Sequence, residues 1–153
     1  MQNLKISLIT TSYNSEITIS DTLSSVLLQS YSNIEYIIVD GGSSDETISI
    51  IKEYEPLFNG RLKWISEKDD GIYDAMNKGI QMASGDIVGI LNSDDLFFDS
   101  NVLGDIVQAF DSKIEAVCCN LYFVKFDDTD SIVRTWKGSP YHSFNKGWHP
   151  AHP

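Results

Sequence analysis

Short apolar runs alternate with amphipathic stretches along most of this chain. "LKISLIT" (4–10) is β-rich and gives way to the polar "TSYNSE", which reads as a buried strand entering a loop. "ITISDTLSSVLLQS" follows with Leu23, Val26, Leu27 and Ser30 at steps of three and four, the spacing of an amphipathic helix. The unit then repeats. "IEYIIVD" (34–40) reads as a second buried strand, "GGSS" as a turn, and "SDETISIIKEYEP" as a helix with Ser43 and Glu46 in capping-box spacing, closed by Pro56. "RLKWISE" (61–67) is a less hydrophobic third strand, expected near a sheet edge. "DGIYDAMNKGIQMAS" (70–84) sets Ile72, Ala75, Met76, Gly79, Ile80 and Ala83 along one helical face, with Gly85 as its stop. "DIVGILN" is the fourth strand and "NVLGDIVQAF" (101–110) the next helix. Strand and helix in strict alternation predict a mostly parallel sheet with helices on both faces, a three-layer α/β/α sandwich.

After Glu115 the pattern changes. "AVCCNLYFVKF" and "SIVRTWKG" flank the polar "DDTD" and predict an antiparallel hairpin. Cys118 and Cys119 are neighbours, an arrangement that suits small residues of a buried strand better than a mutual disulfide or a CxxC metal site. The aromatic tail "SPYHSFNKGWHPAHP" is followed by no closing element, so the chain reads as cut short. One domain is expected, its C-terminal portion incomplete.

Composition narrows the class of function. The 153 residues are 42% hydrophobic and 11% aromatic, enough for one folded core. No apolar run approaches the roughly 20 residues of a membrane helix, and the N-terminus lacks a cleavable signal pattern, so the expected location is cytoplasmic. Net charge is −11, from 22 acids against 11 bases, with no Lys/Arg cluster to follow a phosphate backbone, which argues against nucleic acid as a partner. An acidic chain that handles a phosphorylated substrate needs another source of positive charge. A divalent cation held by carboxylates would supply it.

Ligands of open parallel α/β sheets bind beyond the carboxyl ends of the strands. There the sequence places Thr10 to Asn14, Asp40 to Asp45, Glu67 to Asp70, and Asn92 to Asp95. Any one of these loops alone would pass for a solvated turn with helix caps; four converging loops point to a site. "VDGGSSDE" is neither GxGxxG nor a P-loop. Asp40, ending an apolar strand, can accept bonds from a base N–H or ribose hydroxyls, or from backbone N–H groups of its own turn; the residues leave both open. In "LNSDD", Asp94 and Asp95 follow a strand directly, where hard oxygens suit Mg²⁺ or Mn²⁺ on a diphosphate. His142, His149 and His152 lie in the tail without HExxH spacing and read as loop residues.

Taken together, "SLITTSYN", "IEYIIVDGGSSDET", "EKDDGIYDAMNKGIQMASGDIVGILNSDD" and "GWHPAHP" resemble the inverting glycosyltransferases of family two, with the GT-A (nucleotide-diphospho-sugar transferase) fold. The resemblance implies transfer of a sugar from a nucleotide-diphosphate donor, of uridine diphosphate type, to a hydroxyl of a saccharide or lipid-linked acceptor. The family's usual setting is bacterial surface polysaccharide or glycolipid synthesis. It implies nucleoside contacts from Thr11 and Tyr13, a donor-binding place for Asn14 beside them, base recognition by Asp40, and a pocket completed by the segment of Asp70. The family's DxD motif falls on Asn92, Ser93 and Asp94, with Asn in place of the first acid. Asp94 would hold the metal, with Asp95 beside it.

The family's general base lies well after the "HP" segment, so it is expected beyond Pro153. Residues 1–112 are then the donor-binding part and 113–153 the start of the acceptor side. Trp136, Tyr141, Trp148 and His152 are acceptor-side candidates, with His152 and Trp148 foremost. The location becomes cytoplasmic with peripheral placement at the inner face of a membrane, although no basic amphipathic helix supports an anchor. A non-catalytic nucleotide-sugar-binding or interaction module is the alternative, and a receiver-like phosphoacceptor domain ranks below both.

Overall fold

The computed structural model describes residues 3–111 and 113–138. The chain divides into two compact units, Met1–Gln108 and Ala109–Pro153. In the first, β1 (Ile6–Ser12), α1 (Ile19–Leu27), β2 (Ile34–Asp40), α2 (Thr47–Tyr54), a 3-10 turn (Glu55–Phe58), β3 (Leu62–Ser66), α3 (Ile72–Met82), β4 (Ile87–Ile90) and α4 (Val102–Ala109) follow in order. The strands form one parallel sheet in the order β3-β2-β1-β4, flanked by helices, as the alternation predicts.

Burial follows from this order. All seven residues of β1 and all seven of β2 are buried, as expected for central strands covered on both faces. β3 forms an edge, which explains its mixed composition. On one face Ile9, Ile37 and Val39 pack against Ala75 of α3, with Ile65, Met82 and Ala83 at the margin. The approach of α3 depends on Gly79, because a Cβ there would stand 2.5 Å from Ile9 Cγ2. α1 and α2 pack on one another, and the Ser24 and Tyr54 hydroxyls share a 2.8 Å hydrogen bond.

Three local expectations are corrected. β1 runs two residues further than 4–10 suggests, so Thr11 and Ser12 belong to the strand and, like Thr10, are buried. The Thr10 and Ser12 hydroxyls are polar in sequence but have partners in the fold: Thr10 Oγ1 donates to the Leu91 carbonyl at 2.7 Å, and Ser12 Oγ donates to Asp40 at 3.1 Å. The Ser43/Glu46 capping box does not form. α2 starts at Thr47, and Ser43 Oγ donates instead to Asp40 Oδ1. On α3 the buried residues are Ala75 and Gly79, whereas Ile72 and Ile80 are exposed.

The second unit contains the expected antiparallel hairpin, β5 (Leu121–Lys125) and β6 (Asp128–Trp136). The polar "DDTD" is not all turn: Asp128, Thr129 and Asp130 already belong to β6, and the register shifts between Phe123 and Lys125. Cys118 and Cys119 precede β5 and are exposed, which corrects their placement in a buried strand. Among the described residues, no helix is long and apolar enough to cross a membrane.

Candidate functional site

At the carboxyl end of the parallel sheet the chain leaves an open cleft of about 630 Å³. β1 and its loop contribute Thr11, Ser12, Tyr13 and Ser15; the β2–α2 turn contributes Gly41. The β3–α3 loop brings Lys68, Asp69 and Gly71, and the loop after β4 brings Asn92, Ser93 and Asp94. Four strand ends therefore converge, as the topology requires.

Hydrogen bonds between loops fix the walls. The Ser15 and Ser93 hydroxyls lie 2.8 Å apart and join the β1 loop to the β4 loop. Asn14, at φ 48°, is a clasp behind the wall: its N–H donates to Ser43 Oγ at 2.8 Å, and its Oδ1 accepts from Ser44 N–H at 2.9 Å. The left-handed conformation suits Asn better than most residues. Tyr13, on the same loop, is 66% exposed and borders the cleft.

Asp40 is fully buried. Its Oδ1 accepts from the Ser12 and Ser43 hydroxyls, and its Oδ2 accepts from Gly42 N–H, Ser43 N–H and Ser66 Oγ. Of the two roles open in the sequence, bracing its own turn is the one these contacts display. Asp70 is exposed and outside the cleft lining, with its N–H donating to Asp74 Oδ2 at 3.2 Å. Its neighbour Asp69, which sequence reasoning missed, lines the cleft. Adjacent identical acids carry no signal for which one faces inward; the turn that starts α3 decides it.

Around "LNSDD" the environment is electrostatically strained. Asn92 Nδ2 donates to Asp95 Oδ2 at 3.2 Å, while Asn92 Oδ1 is buried with no hydrogen-bond partner among the described residues. Asp95 has its pKa raised, first by burial and then by the adjacent Asp94 charge, against the opposing bond from Asn92. A buried acceptor lacking a donor is costly, and so are two crowded carboxylates. One hard cation would relieve both, so the oxygens of Asn92, Asp94 and Asp95 fit Mg²⁺ or Mn²⁺. Among the described residues no three His, Cys, Asp or Glu side chains form a ready-made cluster. Such a cation would complete its shell from water and substrate oxygens, as Mg²⁺ commonly does. The segment beyond is tied to α1: Phe97 N–H donates to Ser25 Oγ, Gln29 Nε2 to the Asp99 carbonyl, and Leu103 N–H to Gln29 Oε1.

Trp136 ends β6 in the second unit. Tyr141, Trp148 and His152, together with His142 and His149, lie outside the described residues.

Comparison with known proteins agrees with this geometry. An uncharacterised glycosyltransferase of Mycobacterium tuberculosis (strain H37Rv) is 41% identical over 109 residues, which cover 71% of this chain and 40% of that protein. The chain thus spans less than half the length of this relative. Among solved structures, the mannosyltransferase PcManGT of Pyrobaculum calidifontis, in complex with GDP-Man and Mn²⁺, superposes with a TM-score of 0.73 at 26% identity. The match covers 78% of this chain and 36% of that one. S. aureus TarS 1–349 in complex with UDP-GlcNAc gives a TM-score of 0.61 at 28% identity, covering 68% of this chain and 30% of that one. The family model described as Glycosyl transferase family 2 matches residues 7–151, and the chain belongs to that family, with the GT-A fold.

Proposed function

We propose that the cleft binds the nucleoside diphosphate of an activated sugar together with a divalent cation, as the donor site for transfer of that sugar to a hydroxyl acceptor. The observation that carries this reading is the buried Asn92 Oδ1, partnerless among the described residues, in the segment where Asn92, Ser93 and Asp94 line the cleft and Asp95 follows directly behind it. The solved neighbours add support, one holding GDP-Man with Mn²⁺ and the other UDP-GlcNAc.

In this reading Thr11 and Tyr13 contact the nucleoside, and Asn14 and Asp40 act behind them by holding the two loops in register. Asn92, Asp94 and Asp95 hold the cation, and Ser93, fixed by Ser15, lies along the diphosphate. When bound, the cation offsets the charge that builds on the leaving diphosphate. Displacement at the anomeric carbon with inversion requires a carboxylate to take the acceptor proton. No cleft residue is given that role. Residues 1–112 are the donor part, and the region from 113 onward, with Trp148 and His152, is assigned to the acceptor side. The sugar is a hexose and the acceptor a saccharide or lipid-linked hydroxyl, as in surface polysaccharide or glycolipid synthesis. Reaction on a lipid-linked acceptor would place the protein at the inner face of the membrane.

Calorimetric titration with UDP-GlcNAc and GDP-mannose, with and without Mn²⁺, tests the proposal. Metal-dependent binding that disappears in Asp94→Ala supports it; absence of any donor binding contradicts it and favours an interaction module.

A further inference from the structure

The β2–α2 turn carries two adjacent glycines that differ in physical reason. Gly42 has φ +83°, where an L side chain is strained; Gly41 does not have a positive φ, so its backbone tolerates other residues. A side chain at Gly41 would instead have to push its neighbours aside. A Cβ there would stand 2.8 Å from Asp69 Oδ2 and 3.3 Å from Tyr13 Cδ2. Gly41 thus brings an aromatic ring and a carboxylate together on the cleft wall.

That carboxylate is held ready. Asp69 Oδ1 accepts from Gly71 N–H at 3.0 Å, whereas no donor among the described residues reaches Oδ2. The loop that carries it is fixed at several points. Glu67 N–H donates to the Asp40 carbonyl at 3.0 Å, and Lys78 Nζ pairs with Glu67 at 2.9 Å and donates to the Lys68 carbonyl at 3.3 Å. Asp40, by contrast, has both oxygens engaged and no exposed surface.

We propose that Asp69, not Asp40, reads the nucleobase of the donor, its Oδ2 accepting the imino N–H of uracil or guanine while the base lies against Tyr13, and that Gly41 is glycine to make room for this pair. The inference rests on the donor-binding reading above. A carboxylate accepts and cannot donate, so it favours a base whose pairing edge presents a ring N–H. Cytosine N3 and adenine N1 present lone pairs at the corresponding position and are repelled. An exposed tyrosine ring supplies a flat apolar face for any base, and selectivity falls to the carboxylate.

The full chain is titrated calorimetrically with UDP, GDP, CDP and ADP in Mn²⁺. UDP or GDP binds at least about tenfold tighter than CDP and ADP, and the comparison of those two decides between uracil and guanine. Methylating the preferred base at its imino nitrogen lowers affinity by about tenfold or more, a readout that needs no variant. Asp69→Asn closes the gap among the four nucleotides, and Gly41→Ala does the same by displacing Asp69, with thermal unfolding by circular dichroism confirming the fold. Equal binding of all four nucleotides, or full affinity for the methylated base, overturns the assignment to Asp69 and leaves donor binding standing. If no nucleoside diphosphate binds the wild-type chain, the assignment and the donor-binding reading both fail.

Discussion

Thr10 Oγ1 donates to the Leu91 carbonyl at 2.7 Å and accepts, in turn, from the Tyr36 hydroxyl at 2.9 Å. One buried hydroxyl therefore joins β2, β1 and the end of β4, one residue before Asn92. Thr10→Val keeps the shape and removes the relay, leaving a buried phenol and a buried carbonyl short of partners. It should cost about 1–3 kcal/mol by chemical denaturation. Because the carbonyl held is the one that launches "NSDD", nucleotide affinity should also fall; unchanged stability and affinity would show that the link is dispensable.

Two glycines make opposite predictions. Gly79→Ala gains helix propensity of about 1 kcal/mol but drives a methyl to 2.5 Å from Ile9 Cγ2, and Ile9 is fully buried against Ile37 and Val39. Overpacking of a rigid core costs about 1–3 kcal/mol, so the net effect is destabilisation. Gly104 of α4 has no atom within 4 Å of its would-be Cβ, so Gly104→Ala should gain about 0.5–1 kcal/mol. Thermal melts of the two variants should move in opposite directions.

At the far end of the sheet from the cleft, Glu35 is buried on β2. Its Oε1 accepts from Ser7 Oγ and Ser84 N–H at 2.6 Å and from Ser84 Oγ at 2.8 Å; its Oε2 pairs with Lys5 at 3.1 Å and Lys63 at 3.2 Å. Burial alone would raise its pKa, but the bonds from Ser7, Ser84 and Lys5 outweigh it and hold the carboxyl well below its ordinary 4.5. With the folded-state value depressed, the stabilisation is complete above pH 4.5 and is lost as pH falls through the folded-state value. Glu35→Gln should therefore unfold more easily at neutral pH and show a flatter loss of stability on acidification. Parallel acid titrations of wild type and variant would refute this.

Ser15→Ala removes the bridge to Ser93 at the cleft while leaving the core intact. The expected result is a several-fold loss of nucleotide affinity with a stability change of at most about 1 kcal/mol. A melting temperature that falls while affinity holds would assign the pair a structural role alone.

The layered plan was legible because burial writes itself into the sequence. "ISLITTS" and "IEYIIVD" are central strands, and the lysine-bearing "LKWIS" sits at an edge. Pairings made across the sheet were not legible. Thr10 and Ser12 look like polar positions of a strand end, and Ser7 is a lone polar residue within the strand, yet each is buried because a neighbouring segment supplies its partner. Nothing in "IEYIIVD" marks Glu35 as a clamp, because Lys5, Lys63 and Ser84 come to it from distant segments. At the site, "LNSDD" was found from its place after an apolar strand, whereas the choice of Asp69 over Asp70 depends on how one turn enters α3.

Asn92, Asp94 and Asp95 are proposed to bind a donor diphosphate through a divalent cation. The most direct test is calorimetric titration of the chain and of Asp94→Ala with UDP-GlcNAc and GDP-mannose, each with Mn²⁺ and with chelator. One of the two donors should bind only with the metal and lose about a hundredfold or more in affinity on Asp94→Ala, the effect of removing a carboxylate from a cation bound by few protein ligands. Donor binding that is indifferent to both metal and substitution, or no binding by the wild-type chain, would contradict it.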